Sequence, residues 1–471
     1  VALYPWQRTG YNREFPVPAA VFAGGKICRG GDWPSPKAQL KKVKMAVQKT
    51  RLDNGLTVVL REMHHAPVAS FWIWYRVGSR NERAGITGVS HWVEHMMFRG
   101  SAQFPPGSLD RLVSREGGRW NAFTTHDFTA YFETLPSDRI ELALRIESDR
   151  MVNASMAEED VEAERTVIIS ERHMYENQPM FLLREELMAA AFRVHPYHHE
   201  IIGDETDLET MTRDDLYGHY RSYYNPANAV VVAVGDFEGS SMLERIESHF
   251  GQIPSGEPAT PQIRPEPPLR GERRVTVRGP GDAAYLAYSF RVPEATHEDF
   301  HPLVLLDAAY AGGGGIGHFG GGTTNKSSRL YKALVNTDLA AAVSGSVGPS
   351  IDPYLYTIFA VARPGVALSE IESALEHELE RLGDEPLTQD ELDKAIKRAR
   401  ASYVLAGESV TGQAQMIGMA EAVAGDYHWY ENTLEALASV TLDDIERVRQ
   451  TYLRPGNRVV GLYQPEQNGQ E

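Results

Sequence analysis

The sequence predicts an α+β fold made of two homologous domains, each a mixed or antiparallel sheet packed against helices. Two observations carry that prediction. First, the stretch Thr212 to Asn228 returns at Thr441 to Asn457, with Thr212, Asp214, Asp215, Tyr223, Pro226 and Asn228 all repeated at a single offset of 229 residues. Such self-similarity marks a tandem duplication. Each copy offers Thr as a helix N-cap with Asp three residues on, an approximate capping box, then a proline stop and an apolar strand. Second, Ile253 to Leu269 holds six prolines, at 254, 258, 261, 265, 267 and 268, the composition of a stiff, extended linker. The chain therefore divides into an irregular arm rich in Gly and Pro (1–45), a first domain (46–253), a linker (254–270) and a second domain (271–471).

Within the first domain the elements follow in order. Asp53-Asn54-Gly55 is a turn signal; Leu56 to Arg61 and the β-branched, aromatic run Val68 to Val77 read as strands. After a loop from Gly78 to Gly85 comes Gly88-Val-Ser-His91-Trp-Val-Glu94-His95-Met-Met-Phe98, a helix by its spacing. Gly117-Gly118 then feeds one long strand through Asn121 to Phe132, giving three strands around one helix. Glu158 to Asn177 reads as a further helix, with Val161, Val167 and Ile168 as its apolar stripe.

Composition limits the chemistry. With 471 residues, 42% hydrophobic and 24% charged, the chain is a globular protein of two or more domains. No apolar run reaches the length of a membrane span. The net charge of −17 argues against nucleic acid and suits a cationic partner or substrate, although solubility alone accounts for it. Cys28 is the only cysteine, so any zinc site must use His and carboxylate. On a helix His91 and His95 share a face and can hold one metal ion, with Glu94 at its edge. This is the inverted zinc motif His-x-x-Glu-His. The competing reading is an ordinary half-buried helix face. A third ligand is required for a catalytic zinc, and spacing leaves Glu162, Glu164 and Glu171 open.

The second half holds His297, His301, His318, His377 and His428 but no His-x-x-Glu-His, so the metal belongs to the first domain alone. Gly312 to Gly322 reads as a flexible connector, since no phosphate-loop Lys-Ser/Thr and helix follow it. His195, His198, His199 and Glu200 form a second cluster, in a Pro-containing loop whose spacing gives no common helical face.

Several segments together resemble the pitrilysin-type zinc metallopeptidases, in the subgroup of mitochondrial processing peptidase: Val77-Gly-Ser-Arg80-Asn-Glu82, Gly88 to Phe98, Gly117-Gly118 with Asn121-Ala122, Glu164-Arg165-Thr-Val-Ile-Ile-Ser-Glu171, Tyr224-Asn-Pro-Ala-Asn228 and Val234-Gly235-Asp236. The resemblance covers nearly everything after residue 45. It implies one Zn2+ held by His91, His95 and Glu171, with Glu164 as a supporting carboxylate and Glu94 as general base. It also implies that Asn121, Ala122, Phe123 and Thr124 lie on a strand edge along which an extended peptide is laid. Family members complete the site with an Arg and a Tyr after a Ser-Arg-Leu-Tyr/Phe segment of a non-zinc domain. Here Ser328-Arg329-Leu330-Tyr331 is present, but Val335 stands at the Arg position and Ala342, or Ala341, at the Tyr position.

The expectation is therefore a zinc endopeptidase for unfolded peptides, the zinc-bearing subunit of a bacterial two-subunit enzyme whose homologous partner supplies the Arg/Tyr pair. The alternatives are a non-catalytic assembly subunit of the same fold and a self-sufficient homodimeric peptidase. A soluble location in the bacterial periplasm or cytoplasm is expected, with the periplasm favoured.

Overall fold

Two sheets of matching topology organise the chain. The computed structural model describes residues 47–256, 263–313 and 325–466; the arm and nearly all of the Gly312 to Gly322 connector lie outside them. The first sheet comprises β1 (Val47–Arg51), β2 (Thr57–Glu62), β3 (Val68–Tyr75), β4 (Arg119–Thr124), β5 (Thr129–Pro136) and β6 (Ala229–Gly235), in the order β1-β2-β6-β3-β5-β4. The second comprises β7 (Arg273–Gly279), β8 (Tyr285–Val292), β9 (Ala340–Val347), β10 (Tyr354–Ala362) and β11 (Arg458–Pro465), in the order β7-β11-β8-β10-β9. In each, one parallel pair (β2 with β6, β7 with β11) sits in an otherwise antiparallel ladder. The first sheet differs only by its extra strand β1.

The duplication extends to single hydrogen bonds. Thr212 and Thr441 both accept from the backbone N–H three residues on, closing capping boxes with Asp215 and Asp444. The Asn228 side-chain amide donates to Tyr223 O at 2.9 Å, and Asn457 to Tyr452 O at the same distance. These bonds fasten each helix end to the start of the following strand, β6 or β11.

The first domain has more strands than its sequence suggests, and the run through Asn121 is two strands instead of one. The Thr125 hydroxyl accepts from the N–H groups of Asp127 and Phe128 at 3.1 Å each and turns the chain between β4 and β5. A Thr hydroxyl does here what Gly, Pro or Asn commonly does, so no turn signal was visible. Of these two strands only β4 is an edge; β5 is paired on both sides, with β3 and β4.

Alternation in β3 explains the layering. Phe71, Ile73 and Tyr75 face one core, shared with the motif helix Val89–Met96, while Trp72 and Trp74 face another that continues into the second half. The helix Val410–Val423, from the second half, packs on β3 and β6, and Gly418 lies so close to Trp74 that an added Cβ would sit 2.1 Å from the indole. Reciprocally, the first-half helix Pro179–Ala191 packs on β7, β11 and β8 of the second sheet, where Gly461 makes room for Leu183 and Leu187. Each half thus covers the other's sheet with one helix.

Polar contacts close the seam. Lys49 Nζ lies 2.6 and 2.9 Å from the Glu421 carboxylate oxygens. The Asp352 carboxylate accepts from Arg80 and lies 2.9 Å from His195 Nε2, and Asp127 accepts from Ile351 N at 3.0 Å. Burial alone would raise the Asp352 pKa; the His195 and Arg80 contacts outweigh it and hold it at about 2. A depressed folded-state pKa gives stability that is present above about pH 4 and lost as pH falls toward 2. Asp352→Asn is expected to cost about 1–3 kcal/mol at pH 6, with the gap to wild type in urea midpoints narrowing toward pH 3; a gap independent of pH would show that the charge is not involved.

Candidate metal centre

The centre is built on the helix Val89–Met96, every residue of which is buried. Its start is fixed by Glu82, whose carboxylate accepts from Gly88 N and Ser90 N at 2.8 Å each. A carboxylate at a helix N-terminus satisfies orphan donors and opposes the helix dipole. Gly88 has φ 87°, and an added Cβ would meet Ile202 O at 2.3 Å. Only glycine both adopts that conformation and lets the chain at Ile202–Gly203 approach the helix start so closely.

Across from it runs the helix Glu158–Glu176, which carries Glu164 and Glu171. Arg165, on the same helix, stacks on Trp92 at 4.9 Å and holds the two helices in register. Glu171 Oε2 lies 3.5 Å from His95 Nε2 and 3.9 Å from His91 Nε2. Donors about 2.0–2.2 Å from a tetrahedral zinc stand roughly 3.3–3.5 Å from one another, so this set fits zinc with little adjustment. Two imidazole nitrogens and one carboxylate oxygen are also the donor set of a catalytic zinc that leaves a position open.

Two of the three donors are oriented by hydrogen bonds. His95 Nδ1 donates to Glu164 Oε1 at 2.8 Å, which turns Nε2 toward Glu171; Glu164 also pairs with Arg99. Tyr175 donates its phenolic O–H to Glu171 Oε1 at 2.9 Å. Burial and the neighbouring His95 hold His91 well below the usual histidine pKa, so its ring is neutral and able to coordinate. For Glu164 burial alone would raise the pKa, but His95 and Arg99 outweigh it and keep the carboxylate ionised. Glu164→Gln retains an acceptor for His95 yet removes the charge; zinc affinity, measured by competition with a chelating dye, is expected to fall about 10–100-fold. Unchanged affinity would leave Glu164 as no more than an anchor for Arg99.

Glu94 is 3% exposed, and its Oε2 accepts from the Thr124 hydroxyl at 2.7 Å. Burial raises its pKa, against the pull of His95 and that hydrogen bond. Thr124 ends β4, so the carboxylate is tied to the edge strand carrying Asn121, Ala122 and Phe123. Asn121 Oδ1 accepts from Ala122 N at 2.9 Å and occupies an outward-facing donor of that edge.

The structure thus brings together His91, His95, Glu171, Glu164 and Glu94, and sets β4 beside them. The remaining candidate, Glu162, pairs with Arg165 on the exposed side of its helix. His195, His198, His199 and Glu200 do not converge: His195 meets Asp352, His198 its own loop at His195 O, His199 Nδ1 lies 3.1 Å from Glu200 O, and Glu200 accepts from Nε and Nη2 of Arg184. In the second half, Arg329 pairs with Glu391, Val335 closes a single π-helical turn, and Ala341 and Ala342 are exposed at the start of the edge strand β9. The roles of Glu82, Arg99 and Tyr175 escaped the sequence. Tyr175, one turn beyond Glu171, had a spacing that could have flagged it; Glu82 sits in an irregular loop and had none.

Two sequence profiles cover most of the chain. Residues 57–205 match the one described as insulinase (peptidase family M16), and residues 210–399 the one described as peptidase M16 inactive domain. The chain belongs to peptidase family M16. The inactive-domain match spans the end of the first half and most of the second, which carries no His-x-x-Glu-His. Among relatives, an uncharacterized zinc protease of Mycobacterium leprae is 27% identical over 91% of this chain and 94% of its own length. The mitochondrial-processing peptidase subunit beta of Lentinula edodes is 27% identical over 85% of this chain and 86% of its own. Among solved structures, a protease from Helicobacter pylori superposes with TM-score 0.83 at 27% identity, covering 89% of this chain and all of that one. No helix among the described residues is long and apolar enough to cross a membrane.

Proposed function

We propose that this chain is a zinc-dependent endopeptidase of unfolded peptides, with one Zn2+ held by His91, His95 and Glu171 and with Glu94 as general base. The observation that carries the reading is the convergence of the three donor atoms beside a buried Glu94 that is anchored to an open strand edge. Bound there, zinc would supply Lewis acidity, bringing the pKa of water down toward about 7 and polarising the scissile carbonyl. Glu94 takes the proton from the attacking water and delivers it to the leaving amine, and its burial favours both roles. The backbone of β4 from Asn121 to Thr124 pairs with the peptide as an added strand, the peptide carbonyl displacing the Asn121 side chain from Ala122 N. Glu164 holds the His95 ring for coordination.

The second electrophile comes from a homologous partner subunit that carries the Arg/Tyr pair. Val335, Ala341 and Ala342 cannot donate a side-chain hydrogen bond to an oxyanion, and one of the relatives is itself named as a subunit. A bacterial periplasmic or cytoplasmic setting, the former preferred, fits the bacterial zinc proteases among the relatives. The test is cleavage of a quenched peptide by the purified chain alone and with the partner added, alongside elemental zinc analysis. One zinc per chain with cleavage at least about 100-fold faster in the pair is expected. Full activity of the lone chain would remove the partner requirement, and a zinc-free chain with no cleavage in either state would favour an assembly subunit.

A further inference from the structure

At the edge of the first sheet farthest from β4, a cavity of about 400 Å3 opens where the two halves meet. We propose that it is an oxyanion site that takes the phosphoryl group of a small molecule. Its walls carry Lys49 and Arg51 of β1, Thr57 of β2, Arg76 just after β3, and Glu421 and Gly425 at the end of the exchanged helix Val410–Val423.

The charges do not balance within the protein. Glu421 is fully buried, and its carboxylate is committed to Lys49 and to the backbone N–H of Tyr427 at 2.9 Å. Arg51 donates to Gly55 O at 3.2 Å, and Arg76 reaches the backbone oxygen of Glu421 at 3.4 Å. Among the described residues no carboxylate lies within ion-pair distance of either guanidinium. Burial lowers the Arg76 pKa, the attraction of Glu421 opposes that, and repulsion by Arg51 adds a smaller push in the same direction as burial. A bound anion relieves that repulsion.

The chemistry of the walls selects the ligand. Two guanidinium forks and an ammonium favour a tetrahedral oxyanion with several acceptor oxygens. Thr50, Gly55, Thr57 and Gly425 line the rest, and Ala227 alone brings an apolar side chain, so there is no surface for a greasy ligand. On a chain of net charge −17 a cavity with excess cations is a local exception. Because its walls come from both halves, an occupied site ties β1 and the end of β3 to the exchanged helix. The site lies apart from the metal centre, so it stands or falls independently of the peptidase reading.

The test is titration of the full-length, zinc-loaded chain with inorganic phosphate at constant ionic strength, followed by calorimetry and by thermal unfolding. Expected are one saturable site per chain and a rise of several degrees in Tm. Arg51→Ser, at an exposed position, is expected to weaken binding at least about fivefold with unchanged Tm in the absence of phosphate, and Arg51→Ser/Arg76→Met to abolish it with zinc content retained. Adenosine monophosphate is titrated in parallel: tighter binding than phosphate assigns a phosphorylated metabolite, and equal or weaker binding the free ion. A rise in Tm that chloride reproduces, or phosphate binding that survives the double substitution, overturns the proposal.

Discussion

Glu94→Gln is expected to keep one zinc per chain and to lose about 10²–10⁴-fold in kcat. The substitution preserves volume and hydrogen-bonding capacity, so the Thr124 hydroxyl, 2.7 Å from Oε2 in the native chain, still finds an acceptor. Glu94 is not one of the three converging donors, which are His91, His95 and Glu171. Coordination is therefore untouched, whereas an amide cannot take a proton from water. Elemental analysis and single-turnover cleavage of a quenched peptide, with the proposed partner present, separate the two effects. Zinc loss in this variant would make Glu94 a ligand, and retained cleavage would move the base elsewhere.

Excision of residues 46–253 as a separate polypeptide is expected to give no cooperatively folded protein, although the sequence marks this stretch as a domain. Trp72, Trp74, Phe123 and Phe128 are each at most 6% exposed and belong to a core continuous with that of the second half. Each buried aromatic contributes about 1.5–3 kcal/mol, so exposing the four forfeits roughly 6–12 kcal/mol. That matches the entire net stability of an ordinary domain, about 5–15 kcal/mol. The excised piece also retains the helix Pro179–Ala191, which has lost the second sheet it covers. Circular dichroism, dye binding and gel filtration of the fragment decide the matter. A monomeric fragment with a sharp thermal transition would show that the exchanged helices are dispensable.

The histidine half of the candidate site was legible because its parts are local. His91, Glu94 and His95 occupy one turn of a helix, and helical geometry alone puts the two imidazoles on a common face. The capping boxes at Thr212 and Thr441 and the proline stops after them were visible for the same reason, and they disclosed the duplication. By contrast, nothing in the spacing of Glu162, Glu164 and Glu171 selected a ligand. The choice depends on how the helix Glu158–Glu176 is rotated against the motif helix, and Arg165 on Trp92 fixes that rotation.

The sequence by itself determined the two-domain α+β plan, the inverted zinc motif and the absence of that motif from the second half, since these follow from short-range periodicity and from repeats. For Glu171 and the strand edge at Asn121 the sequence offered only what a family resemblance implies, and tertiary structure supplied the physical reason: it turns Glu171 toward the two histidines, folds the Asn121 run back as a hairpin on a Thr125 hydroxyl, and ties the open edge β4 to Glu94. It also decided that each half covers the other's sheet. Such facts rest on contacts between residues far apart in the chain, where side-chain shape and burial, and no spacing rule, choose the partner.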